Sequence, residues 1–340
     1  MSSRAFITGV SGLELGADER AFIRDERPWG FILFKRNIET PDQVSALVEE
    51  LRSCLGESDA PVLIDQEGGR VARLGPPHWP VYPPGAAFGA LYDLDPALGL
   101  QAARLSSRLI AADLIDLGVT VDCLPLADVP VAGADAVIGN RAYGTEPAKV
   151  AAIARAVTGG LEQGGVLPVL KHIPGHGRAT ADSHFRLPTV DTPREELERT
   201  DFAAFRPLAD LPMAMTAHVV FSALDPAQPA TTSATIIRQV IRGQIGFQGL
   251  LMSDDVSMNA LAGSIAERTR AIVNAGCDMI LHCNGKLDAM RDVARETPEL
   301  TDEALQRARR ALASRKPPEP LDRRAARAEL DALLDRMGTA

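Results

Sequence analysis

Eight short apolar runs, each trailed by a segment of helical period, constrain this chain more than any other feature. The runs are Ala5–Ile7, Gly30–Phe34, Pro61–Ile64, Val119–Leu124, Val166–Leu170, Met213–Ala217, Gly249–Met252 and Met279–Cys283. Helical spacing follows near residues 17–26, 40–55, 94–117, 146–163, 194–208, 233–244, 264–275 and 286–295. An apolar run too short for a helix reads as a strand buried on both faces, and strand–helix alternation builds a parallel sheet. Eight such units in about 250–300 residues match a (β/α)8 barrel of the TIM type. A doubly wound open sheet competes, but no G-x-G-x-x-G follows the first run. Helix starts carry caps: Thr40 with Gln43 fits a capping box, and Ser233 precedes another periodic run. Residues 301–340 are helical and charged, split by Lys316-Pro317-Pro318-Glu319-Pro320, and read as two terminal helices packed outside the barrel. With no internal repeat or low-complexity linker, residues 1–340 read as one domain.

A formal charge of -9 without a basic run argues against nucleic acid as a partner, since phosphate binding needs clustered positive charge. No stretch reaches the ~18 apolar residues of a membrane span, and the apolar start Ala5–Ile7 is too brief for a secretory signal. The widely spaced Cys54, Cys123, Cys277 and Cys283 read as free thiols of a reducing compartment. The expectation is a cytoplasmic protein without a membrane partner.

Polar motifs sit directly after the strand runs, so a barrel would gather them at its C-terminal face, where barrel active sites lie. The densest is Lys171-His172-Ile173-Pro174-Gly175-His176-Gly177-Arg178, which continues to Asp182-Ser183-His184 and holds three of the six histidines. Pro174, Gly175 and Gly177 deny it a helix. An aspartate two residues before a histidine can fix the imidazole tautomer and raise its pKa, which suits a group that both donates and accepts a proton. A polar surface loop is the plainer reading.

Ser253-Asp254-Asp255 follows another strand, and in an extended segment the two acids diverge, so only one can face a ligand. A carboxylate there could attack a carbon centre or stabilise a developing cation, or could merely cap a helix. Asp65-Gln66-Glu67-Gly68-Gly69-Arg70-Val71-Ala72-Arg73 offers acids and arginines on a sharp glycine turn, suited to sugar hydroxyls or to a self-satisfied surface salt-bridge network. The His172/His176 spacing resembles a zincin pair, but the intervening Pro-Gly forbids the helix that motif needs. Asp65, His172, His218 and Asp254 remain a conceivable metal set by ligand type alone.

In this order, together with Gly30–Asn37, Leu124–Val129, Ile138–Arg141 and Met215–His218, these motifs resemble glycoside hydrolase family 3, specifically its single-domain bacterial β-N-acetylglucosaminidases of cell-wall recycling. The resemblance implies a retaining mechanism through a covalent glycosyl-enzyme, with Asp254 as nucleophile and His184, assisted by Asp182, as general acid and then base. It implies that Asp65, Arg73, Arg141, Lys171 and His172 hold a terminal N-acetylglucosamine. The implied substrate is a small peptidoglycan fragment, cleaved by a monomer with no metal or organic cofactor. Phosphorolysis, with phosphate replacing water, and a broader β-glycosidase activity are the alternatives.

The loop glycines would let His184 swing over bound sugar. Ile173, Arg178 and Val256 depart from the family's usual residues, and Arg178 adds positive charge that could favour an anionic aglycone or simply be solvated. Only two tryptophans, Trp29 and Trp79, and three tyrosines are present, so recognition should rest on hydrogen bonds rather than aromatic platforms.

Overall fold

The computed structural model describes residues 3–183 and 185–338. Eight parallel strands close a barrel: β1 (Arg4–Thr8), β2 (Pro28–Leu33), β3 (Val62–Ile64), β4 (Val121–Asp122), β5 (Leu167–Ile173), β6 (Met213–Thr216), β7 (Leu250–Asp255) and β8 (Met279–His282). Each pairs with its predecessor in the chain, and β8 returns to β1 through Phe6↔Ile280 and Ile7↔Leu281. All eight sequence runs therefore became strands of the expected barrel.

Side-chain alternation sorts the core into two compartments. Ile7, Ile32, Leu63, Val121, Val169, Met213, Met215, Leu250, Met252, Met279 and Leu281 fill the barrel interior. Their neighbours Phe6, Phe31, Leu33, Val62, Ile64, Leu170, Ala214, Leu251 and Ile280 face outward and meet the helices. Both sets are apolar, which is why these strands read as continuous runs and not as alternating patterns. The period of two also carries upward past the apolar layer: two residues beyond Leu63, Val169, Met252 and Leu281 stand Asp65, Lys171, Asp254 and Cys283.

Several elements differ from the sequence expectation. The segment 94–117 is preceded by a separate helix, Gly85–Leu94, and the main helix starts at Pro96, with Asp95 accepting from the Ala97 N–H at 2.8 Å. Proline at the first helical position disfavours helix in the residue before it, which separates the two. The 194–208 segment breaks into Arg194–Arg199, Asp201–Phe205 and a turn at Arg206–Leu208. A small sheet of Thr189–Val190, Val220–Phe221 and Asp225–Pro229 lies outside the barrel. Thr40 Oγ accepts from Gln43 N and Ser233 Oγ accepts from Ile236 N, so both caps form, but the capping box at Thr40 is not reciprocal because the Gln43 side chain accepts from Glu39 N at 2.9 Å.

The helix Asp302–Ala313 does not pack on the outer wall. Leu300, Ala308 and Ala311 join the interior cluster beside Ala5 and Trp29, at the N-terminal ends of β1 and β2, so the helix floors the barrel. Backbone bonds Ala5 N–Pro298 O (2.9 Å) and Leu300 N–Ser3 O (2.8 Å) tie it to β1. Arg323–Asp335 instead lies against the Pro96–Asp116 helix, with Arg323 donating to Ala112 O at 3.0 Å. Cys123, Cys277 and Cys283 are buried free thiols and Cys54 is half-buried. Among the described residues no helix is long and apolar enough to cross a membrane.

Asp278 clamps this floor. Its carboxylate binds Arg242 at 2.7 Å and Arg307 at 2.8 Å, and accepts from Leu251 N at 2.9 Å. Asp278→Ala should leave the half-buried Arg242 without a counter-ion and Arg307 with only the exposed Glu303, and cost about 2–4 kcal/mol. Equilibrium urea unfolding followed by circular dichroism measures this.

Candidate active site

A cavity of about 310 Å³ opens at the C-terminal end of the barrel. Ile32, Met215 and Leu281 of the uppermost apolar layer line it, with Asp65, Lys171 and Asp254 on the next inward step of their strands. Asp182, from the loop after β5, also lines it, as do Arg73, Arg141 and His172. Seven of the eight sequence-derived candidates thus share one cavity. The eighth, His184, lies outside the described residues.

The loop after β3 is built to hold its acids inward. Gly68 and Gly69 adopt φ of 93° and 57°, and a Cβ on Gly68 would sit 2.3 Å from Pro83 O, so the turn requires glycine. Gln66 points the other way and staples the loop, its Oε1 accepting from Arg73 N and Leu74 N at 2.8 and 2.9 Å. Its own N–H donates to Asp122 Oδ1 at 3.0 Å, and burial raises the Asp122 pKa well above the ordinary carboxyl value.

Lys171, 2% exposed, bridges the acids: Nζ lies 3.0 Å from Asp65 Oδ1 and 2.6 Å from Glu67 Oε1. Arg73 takes the other Asp65 oxygen at 3.0 Å. Arg141 grips Glu67 with both arms, Nε–Oε2 at 2.9 Å and a second bond of 2.8 Å to Oε1. Burial opposes charge on Asp65, Glu67, Lys171 and Arg141. For Asp65 the pull of Lys171 and Arg73 prevails and holds the acid well below the carboxylate range; Lys171 and Arg141 do the same for Glu67. Burial likewise works against the ammonium of Lys171, but Glu67 and Asp65 raise its pKa. The self-satisfied network is real, then, but it is buried and faces the cavity.

Asp128 organises the adjoining loops after β4 and β5. Its Oδ2 meets His172 Nδ1 at 2.7 Å, and Oδ1 accepts the backbone N–H of His176 at 2.7 Å and of His172 at 3.3 Å. Burial would raise the Asp128 pKa, but His172 and His176 bring it to about 2. His176, which also lines the cavity, places Nε2 3.0 Å from Ser183 Oγ. Burial, reinforced by His172, pushes His176 down to about 4.

Both adjacent acids line the cavity, where a register irregularity between Met252 and Asp255 interrupts simple alternation, but they are held differently. Asp255 is turned to Ser257 N (3.0 Å), Ser257 Oγ (2.6 Å) and Cys283 N (3.1 Å), so the capping role falls to it. Asp254 Oδ1 accepts from Asp255 N at 2.7 Å. Among the described residues no group of three or more His, Cys, Asp or Glu could hold a metal ion, so Asp65, His172, His218 and Asp254 do not converge as a ligand set. His218 instead bonds Thr231 Oγ1 at 2.7 Å and Asp255 O at 3.0 Å.

Residues 9–314 match the glycosyl hydrolase family 3 N-terminal domain. The chain belongs to glycoside hydrolase family 3. A β-hexosaminidase of Alkalilimnicola ehrlichii is 39% identical over 295 residues, 86% of this chain and 83% of that protein. One of Bordetella avium is 36% identical over 304 residues, covering 88% and 82%. Crystalline NagZ from Neisseria gonorrhoeae, in complex with N-trifluoroacetyl-D-glucosamine, superposes with a TM-score of 0.88 at 30% identity, over 98% of this chain and 99% of that one. This family 3 chain is therefore a glycoside hydrolase with the barrel of its relatives.

Sequence reasoning missed Glu67, Asp128 and His176 as site builders. Glu67 was legible from its position two residues after Asp65, on the same face of the chain. Asp128 was not, because its partners lie on the next strand. Arg178 does not line the cavity, and it is not solvated either. It binds Asp201 Oδ2 at 2.6 Å, Thr200 Oγ1 at 2.9 Å and Glu196 Oε1 at 3.0 Å, so it carries no argument for an anionic aglycone.

Gly177 is not placed as a hinge. A Cβ there would lie 2.1 Å from Val129 O and 2.7 Å from Pro130 N, so the residue is required for close backbone packing. Gly177→Ala should lower stability by about 2 kcal/mol or more, with the drop seen in thermal unfolding before any kinetic effect is considered.

The histidines predict an acid response. His176 titrates near 4 folded and near ~6.5 unfolded, so the unfolded chain carries the extra proton as pH falls through that window. Burial lowers His218 and His282 as well, with the same sign. Urea midpoints should therefore fall between about pH 7 and about pH 5, and His176→Phe should show a smaller fall.

Proposed function

We propose that this hydrolase is a retaining exo-β-N-acetylglucosaminidase acting on peptidoglycan fragments. Asp254 is the nucleophile, forming a covalent bond to the anomeric carbon as the aglycone departs. His184, oriented by Asp182, protonates the leaving oxygen and then, as neutral imidazole, takes a proton from the attacking water. Asp65, Arg73, Arg141, Lys171 and His172 hold the hydroxyls and acetamido group of the terminal sugar.

The observation that carries the reading is the shared cavity: Asp254 and Asp182 line the same walls as the Asp65–Lys171–Glu67–Arg141 network. Donors and acceptors already locked in ion pairs need no reorganisation when a sugar enters, which is how a preorganised polar site stabilises a charged transition state. The A. ehrlichii and B. avium relatives are β-hexosaminidases, and the N. gonorrhoeae complex holds an N-acylated glucosamine, which supports the choice of sugar.

Asp254→Ala should lower kcat on an aryl β-N-acetylglucosaminide by on the order of 10⁴-fold or more. A fluorinated slow substrate should label Asp254 in a peptide map. His184→Ala should lose far more on a phenyl than on a 2,4-dinitrophenyl glycoside, because an activated leaving group needs little protonation. A label elsewhere, or an inverted product, would overturn the assignment. Free N-acetylglucosamine, rather than its 1-phosphate, is the product expected in phosphate buffer.

A further inference from the structure

We infer that His176 is a positioning residue: its ring, bonded to Ser183, latches the Asp182–Ser183 segment to the barrel above Asp254. The inference rests on the proposed role of Asp182 and His184.

The latch has a rigid side. The backbone N–H of His176 donates to the fully buried Asp128 carboxylate at 2.7 Å, and that carboxylate also holds His172 through its ring and its N–H. Gly177 is pressed on the Val129–Pro130 backbone, and Val131 N and Asp135 N reach Gly177 O and Ala179 O at 3.4 and 2.8 Å. The chain from His172 to Ala179 therefore moves with the loop after β4.

Beyond Ala179 the support changes. Asp182 and Ser183 line the cavity, and Ser183 is 2% exposed. Two contacts pin Ser183 from opposite sides: His176 Nε2 at 3.0 Å from its Oγ, and Ala260 N donating to its carbonyl at 3.2 Å. Ala260 follows β7, the strand that carries Asp254, so the segment spans the cavity from the β5 side to the β7 side. The two proposed catalytic carboxylates are thereby referenced to each other through Ser183.

The tautomer follows from burial. His176 is 3% exposed, and Nδ1 has no hydrogen-bond partner. A buried N–H without an acceptor is costlier than a buried lone pair without a donor, so the proton sits on Nε2 and is donated to Ser183 Oγ. The depressed pKa keeps the ring in this neutral form near neutrality. Phenylalanine preserves the ring volume but cannot make the bond. Glutamine can place an amide N–H near the Nε2 position.

A double-mutant cycle tests the latch. His176→Phe and Ser183→Ala should each lower kcat on phenyl β-N-acetylglucosaminide about tenfold, the worth of one hydrogen bond at the transition state, with KM changed less than about twofold. The double variant should be no worse than the poorer single, and His176→Gln should recover most of the loss. Both singles should lose much less on the 2,4-dinitrophenyl glycoside. Multiplying losses in the double variant, or an unchanged kcat in either single, would overturn the latch. His184→Ala separates the two ideas. If it is indifferent to the leaving group, the acid/base reading falls and the cycle alone judges the latch. If it shows the expected dependence while the cycle is additive, only the latch falls.

Discussion

One buried ammonium holds the upper barrel together. Lysine is almost never fully buried unless paired, and an isolated ammonium at this depth would shed its proton. Lys171 keeps its charge because Asp65 and Glu67 stand within 3.0 and 2.6 Å. Each acid in turn stays ionised only because the lysine and an arginine face it. The arrangement joins β5, the loop after β3 and the Gly139–Arg141 turn into one unit, and the loss of any member strands a charge in low dielectric. The wall of the cavity is thus set by the folded chain before any ligand arrives.

The neighbouring histidines obey a different rule. Burial holds His176 and His218 below the ordinary imidazole pKa. The ionised network and the neutral ring of His176 line the same cavity as Asp254. Environments that push titratable groups apart in this way are what acid–base chemistry at neutral pH demands, and a family 3 hydrolase has use for both.

Much of this was readable in the chain. Eight apolar runs with turn residues between them dictate parallel strands, and counting by twos from Leu63, Val169 and Met252 reaches Asp65, Lys171 and Asp254. The same count does not set Asp255 aside, since it lines the cavity too and differs from Asp254 in its bonds to Ser257 and the Cys283 backbone. What escaped reading depends on contacts between elements distant in sequence. Asp128 gains meaning only from histidines 44 and 48 residues later. Gly177 looks like a flexible residue until the Val129 backbone is placed against it. The three-stranded excursion uses strands of two to five residues, including Asp225–Pro229 with its two prolines, too short and too polar to announce themselves. The Asp302–Ala313 helix has charged residues on one face, as any surface helix would, and nothing local states that its alanines fit a barrel mouth.

That floor has a consequence for biosynthesis. The first barrel strand in chain order, β1, finds its second neighbour only in β8, and the apolar mouth around Ala5 and Trp29 is sealed only by residues near 300–311. Until residues near 311 have emerged, the nascent barrel keeps an open strand edge and a greasy opening beside β1. Long-range closure of this kind is slow and exposes sticky surface meanwhile, so the vulnerable interval of this polypeptide is its own synthesis.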